Sequence, residues 1–228
     1  MIQVSVDQSL PPLAWVASIR TGQETVQARV GYQNEYNRKW LCEAVWAGDY
    51  SLGGFDETPL VFGSGLRRRD GNVIFVSSGT TVDRLLVWSD DKGDRHIVSN
   101  SLVQVLKSAG ARPVSEYRNY ERDLESIVGG LDRYQRELPV TAGRLRVVYF
   151  DNLLWNGAQF RLIQKPELSW NFNSYSKYRS FLSKAANSLA TNAASKQRNQ
   201  QIEILSTISS GYDSPATSVI GIEMGCRR

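Results

Sequence analysis

The chain has 228 residues, of which 41% are hydrophobic and 22% charged. That balance supports a packed core and excludes global disorder, and at roughly 150 residues per domain it allows one large domain or one domain plus part of another. No apolar run approaches the roughly 20 residues of a membrane-crossing helix. The opening MIQVSVDQSL lacks the basic start and apolar stretch of a secretory signal, so the expected compartment is the cytoplasm. Two cysteines, Cys42 and Cys226, cannot build a disulfide framework, and a formal charge of +4 is too mild to assign a partner.

Up to about residue 75 the pattern is strand-like. Ile2, Val4 and Val6 alternate with polar residues, and 15–19 and 26–30 are further short strands. Pro11-Pro12 and Gly53-Gly54 read as turns. Asp70-Gly71 predicts a tight hairpin, because both positions tolerate the positive φ such a turn requires; the strand behind it is 73–76, and Arg67-Arg68-Arg69 reads as its exposed tip. A second hairpin joins 84–88 to 96–98. Ser99 or Asn100 can cap a short helix through Leu102, Val105 and Leu106 that stops at Gly110. Residues 116–128 predict another helix, stopped by Gly129-Gly130. Strands resume at 144–150 and 159–163. The scattered Trp40, Trp46, Trp88, Trp155 and Trp170 read as core. Cys42 reads as apolar filler, and the lone His96 reads as structural.

Pro166 marks a change of texture, placing a boundary near 166–173. Beyond it Tyr178, Phe181, Leu182, Ala185, Leu189 and Ala193 recur at helical spacing. No acidic residue lies between Glu167 and Glu203, while Lys177, Arg179, Lys184, Lys196 and Arg198 are basic. The favoured reading is a solvated helix face, with nucleic-acid binding the weaker one. Residues 201–208 predict a strand.

The chemistry-bearing segment follows. Ser209-Ser210-Gly211-Tyr212-Asp213-Ser214 is a small-residue turn opening a helix, with Pro215 near the first helical position. Unpaired amides and serine hydroxyls at such a helix start form a cradle for an oxyanion. A carboxylate beside a phosphate cradle suggests Mg²⁺ shared between Asp213 and phosphate oxygens. The segment is not a Walker A loop, because no GK[ST] follows the glycine.

This segment resembles the SGGxDS signature of the PP-loop ATP pyrophosphatases, above all the synthetase domain of asparagine synthetase-like proteins. Ser210 departs from the pattern, where a glycine is usual; a positive φ there would strain it. The resemblance implies ATP and Mg²⁺ as cofactors, adenylation of a carboxylate with release of pyrophosphate, and displacement of AMP by an amine or ammonia. By position, Ser209, Ser210, Gly211 and Ser214 would bind the pyrophosphate portion, with Asp213 on its Mg²⁺. Tyr212 takes no role, and no residue is assigned as catalytic.

In asparagine synthetases the preceding domain is an N-terminal-nucleophile glutaminase, an αββα sandwich. The hairpin and helix at 85–102 are similar to part of it. Its nucleophilic cysteine at position 2 is replaced by Ile2, and Cys42 has no α-amine to serve as base. The expected architecture is therefore α+β: residues 1–166 a degenerate glutaminase-like domain, and 167–228 the first helix, strand, loop and helix of a Rossmann-like PP-loop domain. One such unit cannot form the crevice for adenine and ribose, so these residues alone are expected not to turn over ATP. The unpaired edges of the 201–208 strand imply self-association. The alternative to a ligase is a non-catalytic binding or scaffold module with a relic loop.

Overall fold

The computed structural model describes residues 1–168, 171–206 and 208–226. Five strands open the chain: β1 (Ile2–Val6), β2 (Trp15–Arg20), β3 (Val26–Val30), β4 (Glu35–Tyr36) and β5 (Trp40–Cys42). β6 (Val45–Trp46) and β7 (Val61–Phe62) pair as a two-stranded ladder. Next come β8 (Gly65–Arg69), β9 (Asn72–Val76), β10 (Leu85–Ser89) and β11 (Arg95–Ser99), then α1 (Leu102–Ala109) and α2 (Tyr120–Glu125). β12 (Glu137–Leu138), β13 (Arg144–Val148), β14 (Asn152–Trp155) and β15 (Phe160–Ile163) precede α3 (Tyr175–Ala193) and α4 (Asp213–Glu223). The result is a mixed α+β chain with several sheets. No helix among the described residues is long and apolar enough to cross a membrane.

The chain divides into two compact units, one comprising 1–44 and 62–165, the other 45–61 and 166–228. Nothing in the local sequence marks the 45–61 excursion.

The first unit contains two sheets, ordered β1-β3-β2-β11-β10-β13-β12 and β15-β14-β9-β8-β5-β4. Within them β1 pairs with β3 in parallel; the neighbouring ladder of β2 on β3 is antiparallel. Period-two alternation decides which side chains meet. Trp15, Ala17, Ile19, Val26 and Val30 of the first sheet share a buried cluster with Leu41, Leu66, Phe75 and Leu153 of the second. On the other face of the seven-stranded sheet, Val16, Leu86, Trp88, Ile97 and Leu145 share a cluster with Val105 of α1, against which Leu124 of α2 packs. β10 therefore buries both faces, which is why Leu85-Leu86-Val87-Trp88 is continuously apolar rather than alternating.

Local chemistry fixes the element ends. Asp70 and Gly71 both take positive φ, 50° and 80°, as the hairpin requires. Phe150, at φ 63°, leaves the extended region just past the end of β13. The cap of α1 is Ser101 and not Ser99 or Asn100: its Oγ accepts from the Gln104 amide at 3.4 Å, and Gly110 at φ 71° closes the helix. The other two candidates are engaged elsewhere. Ser99 Oγ donates to the Trp15 carbonyl and accepts from the Ser101 amide, and Asn100 bonds both the Trp15 amide and the Leu13 carbonyl. The helix expected over 116–128 shortens to α2 followed by a 3₁₀ turn, Ser126–Gly129. Its entry is held by side chains instead: the Tyr117 hydroxyl donates to Asp123, and Tyr120 accepts from the Val114 amide and donates to the Pro139 carbonyl, each at 2.6 Å. Arg67, Arg68 and Arg69 are half-buried rather than an exposed tip, with Arg68 bonded to Glu24.

In the second unit Trp46 packs on Tyr50 and Phe55, at 5.5 and 5.3 Å between ring centres. The Arg198 guanidinium lies over Tyr50 and Trp46 and donates to the Asn192 backbone and side chain at the end of α3. Arg198 is only 8% exposed, so it is not part of a solvated basic face, whereas Lys177, Arg179, Lys184 and Lys196 are exposed. Arg179 bridges to Glu223 of α4 at 2.7 Å.

Among the described residues of 201–208 Leu205 takes a β-bridge but no multi-residue strand forms; Thr207 lies outside them. Ile202 and Ile204 line a small cavity with Ala190 and Ala193 of α3. Trp170 also lies outside the described residues; the other tryptophans named above are buried.

Candidate phosphate loop

Ser206 carries the chain toward the loop, its hydroxyl 2.6 Å from that of Ser218 in the interior of α4. The loop is then closed by its own serines. Ser214 Oγ accepts from the Ser209 amide at 2.8 Å and lies 2.8 Å from Ser209 Oγ, which accepts from the Gly211 amide at 3.4 Å. Neither Ser210 nor Gly211 takes a positive φ, so the serine in place of the usual glycine carries no backbone strain. A Cβ on Gly211 would meet only Ser209 Oγ, at 3.6 Å.

Asp213 is the first residue of α4 and is exposed; Tyr212 before it is 97% exposed. Pro215 is the third residue of the helix, still within the turn whose amides have no intrahelical acceptor. The amides of Ser210, Tyr212 and Asp213 have no hydrogen bond among the described residues. A polyphosphate could meet these free amides, the two hydroxyls and, through a cation, the Asp213 carboxylate. The donor set fits Mg²⁺ bound jointly with phosphate oxygens. It does not fit a metal held by protein alone, since no three His, Cys, Asp or Glu side chains converge among the described residues. Asp213 at a helix start also complements the helix dipole.

At the other end of the chain, Ile2 is a buried core residue of β1 in register with Val26, and the Met1 ammonium donates to the Glu24 carbonyl at 3.3 Å. His96 is buried against Trp155 and Phe160, with Ser89 Oγ 2.8 Å from its Nδ1.

Two buried polar clusters carry no sequence motif. Lys165 Nζ donates to the Ser77 carbonyl at 2.8 Å and to Asn152 Oδ1 at 2.7 Å. Glu43, half-buried, accepts from the Ser64 amide at 2.7 Å, from Ser64 Oγ at 2.6 Å and from Asn100 at 3.3 Å, while Trp15 Nε1 donates to Ser64 Oγ. These contacts join residues distant in the chain, so no local spacing encodes them.

Desolvation, aided by the Asp83 charge and opposed by the Ser64 hydrogen bonds, pushes the Glu43 carboxyl up to about 7. The folded state then holds this proton more tightly than the unfolded chain. The stabilisation is complete below the ordinary value of 4.5 and is lost as pH rises through about 7. His96 acts in the opposite sense: burial lowers its pKa, so its contribution is present above 6.5 and declines as pH falls below it. Urea unfolding at pH 5 and pH 8 should therefore show Glu43→Gln gaining about 1–2 kcal/mol relative to wild type at the higher pH. An equal difference at both pH values would contradict a proton-retaining Glu43.

No protein-family model matches this chain, and no curated protein matches it.

Proposed function

We propose that this chain is the N-terminal portion of an asparagine synthetase-like, ATP-dependent ligase that forms amide bonds through carboxylate adenylation and pyrophosphate release. In this reading the two sheets of the first unit are a glutaminase-like N-terminal-nucleophile sandwich without its nucleophile, and α3, the loop and α4 begin a Rossmann-like PP-loop domain. Ser209, Ser210, Gly211 and Ser214 hold the pyrophosphate portion of ATP, and Asp213 shares its Mg²⁺. When bound, that cation neutralises phosphate charge and supports departure of pyrophosphate.

The observation that carries the reading is the start of α4, where an exposed carboxylate stands beside free amides and two serine hydroxyls 2.8 Å apart. Calorimetric titration of the chain with Mg²⁺–pyrophosphate tests it. Asp213→Ala is expected to weaken binding at least about tenfold, or about 1.4 kcal/mol. Equal affinity in both proteins would remove the metal-bridging carboxylate, and the ligase reading with it.

A second reading, a binding or scaffold module with a relic loop, is favoured by one feature. Ser209 and Ser214 already bond to each other. Under it, neither protein binds Mg²⁺–pyrophosphate.

A further inference from the structure

The helical cover over the seven-stranded sheet reaches Val16 of β2 and leaves Gln3 and Ser5 of β1 and Gln27 of β3 exposed. There the outer face turns polar and concave, enclosing a cavity of about 460 Å³. Its floor follows from register. Gln3, Gln27 and Ser18 lie side by side across β1, β3 and β2, and the next row is Ser5, Arg29 and Val16. One wall is Ser108 near the end of α1, with Arg95 of β11 beside it.

Two guanidinium groups are fixed at that wall by one residue. Arg95 Nη2 donates to the Ser108 carbonyl at 2.7 Å, and Arg29 Nη2 donates to Ser108 Oγ at 2.9 Å. Arg95 also lies over the Trp88 ring at 5.8 Å, and Arg29 Nη1 reaches Asp7 at 3.0 Å. A guanidinium carries five N–H donors, so most remain for a guest. Planar forks held in place lose little entropy when they grip a carboxylate or phosphate.

The charge at this face is not balanced from within. Arg20 stands directly opposite Arg95 across the β2–β11 ladder, and neither has an ion-pair partner among the described residues. Like charges placed directly opposite destabilise a sheet. Asp7 answers Arg29 alone, held by Ser9 as well. An oxyanion between Arg29 and Arg95 would relieve the excess, and the glutamine and serine floor suits a hydrogen-bonding body behind it.

We infer that this cavity is a binding site for a small polar ligand with an oxyanionic head, phosphoryl or carboxylate, gripped by Arg29 and Arg95. It is independent of the Ser209–Ser214 loop and goes beyond the function proposed for that loop.

The test is a titration of the ¹⁵N-labelled chain with inorganic phosphate and, separately, with malonate, followed by NMR. The Arg95 Nε–H and the Ser108 amide are expected to shift and saturate with a Kd below about 10 mM for at least one probe. Saturation by phosphate alone assigns a phosphoryl head; saturation by malonate alone assigns a carboxylate. Arg95→Gln is expected to weaken binding about tenfold with the remaining spectrum intact, and Arg29→Gln provides the same reading should the first variant unfold. Absence of saturation with both probes, or undiminished binding in a folded variant, would overturn the inference. Shifts confined to the amides of 210–214 would also overturn it. Those same amides report on the loop, so failure at one site is read separately from failure at the other.

Discussion

Replacing Gly31 with alanine is expected to destabilise the protein by about 3 kcal/mol or more, among the largest effects of any single methyl group in the first unit. A Cβ at this position would lie 2.1 Å from the Pro11 carbonyl oxygen and 2.5 Å from that of Pro12. Both are backbone atoms in a turn that cannot slide away. The Pro11 carbonyl accepts from the Ala14 amide at 2.9 Å, and the Pro12 carbonyl accepts from the Gln33 amide at 3.0 Å. Asn34, buried beneath, donates its side-chain amide to the carbonyls of Pro12, Ala14 and Gly31. The proline rings fix two further torsions. The clash is therefore met by backbone movement that breaks several of these bonds together. Gly93→Ala provides the contrast: φ there is 72°, but nothing stands within 4 Å of the added methyl, so only the conformational cost of about 1 kcal/mol applies. Urea unfolding followed by tryptophan fluorescence should place Gly31→Ala well below Gly93→Ala. Equal midpoints would mean that the Pro-Pro turn does not lie over Gly31.

Much of the first unit was legible because its signals are local. Alternation at Ile2–Val6 and Val26–Val30 reflects one face inward and one outward, and Asp70-Gly71 reflects a φ requirement at two adjacent residues. What stayed hidden depends on residues far apart. β14 is short and buried, and its place beside β9 rests on pairing Leu153 with Phe75. Ser101 caps α1 in place of Ser99 and Asn100, which are claimed by the chain around Trp15. Arg198 looks like one more surface charge until Tyr50 and Trp46, about 150 positions earlier, are seen beneath it. The apolar run at 202–208 shows the reverse failure. Its composition suits a strand, yet a strand is a relation between segments, and among the described residues only Leu205 takes a β-bridge. The start of α4 was legible as a small-residue turn, since serine, glycine and aspartate before a proline need no distant partner to open a helix. The Arg29–Ser108–Arg95 arrangement was not, since β3, α1 and β11 meet there only through sheet order.

Phe75→Ala is expected to cost about 3–5 kcal/mol, a large fraction of the roughly 5–15 kcal/mol that stabilises an ordinary domain. Phe75 is fully buried between the two sheets, its ring 6.4 Å from Trp15 and nearly parallel to it, and 6.0 Å from Phe160 edge-on. Truncation removes the transfer energy of the ring, its aromatic contacts and the filling of the space between sheets. Collapse into the void is restricted from the first sheet. Trp15 is held at both ends, its indole N–H on Ser64 Oγ at 3.0 Å and its amide on Asn100 at 3.0 Å. Ser64 is in turn held by Glu43, so movement of the indole toward the cavity disturbs the same carboxyl whose proton is retained up to about pH 7. Two consequences follow from that linkage. Phe75→Leu, which refills most of the volume, should cost no more than about 1.5 kcal/mol, and the cost of Phe75→Ala should not add simply to that of Glu43→Gln. A double-mutant cycle at pH 7 reads the coupling directly. Strict additivity, or a Phe75→Ala cost below about 1 kcal/mol, would mean that Trp15 does not join the inter-sheet core to the buried carboxyl.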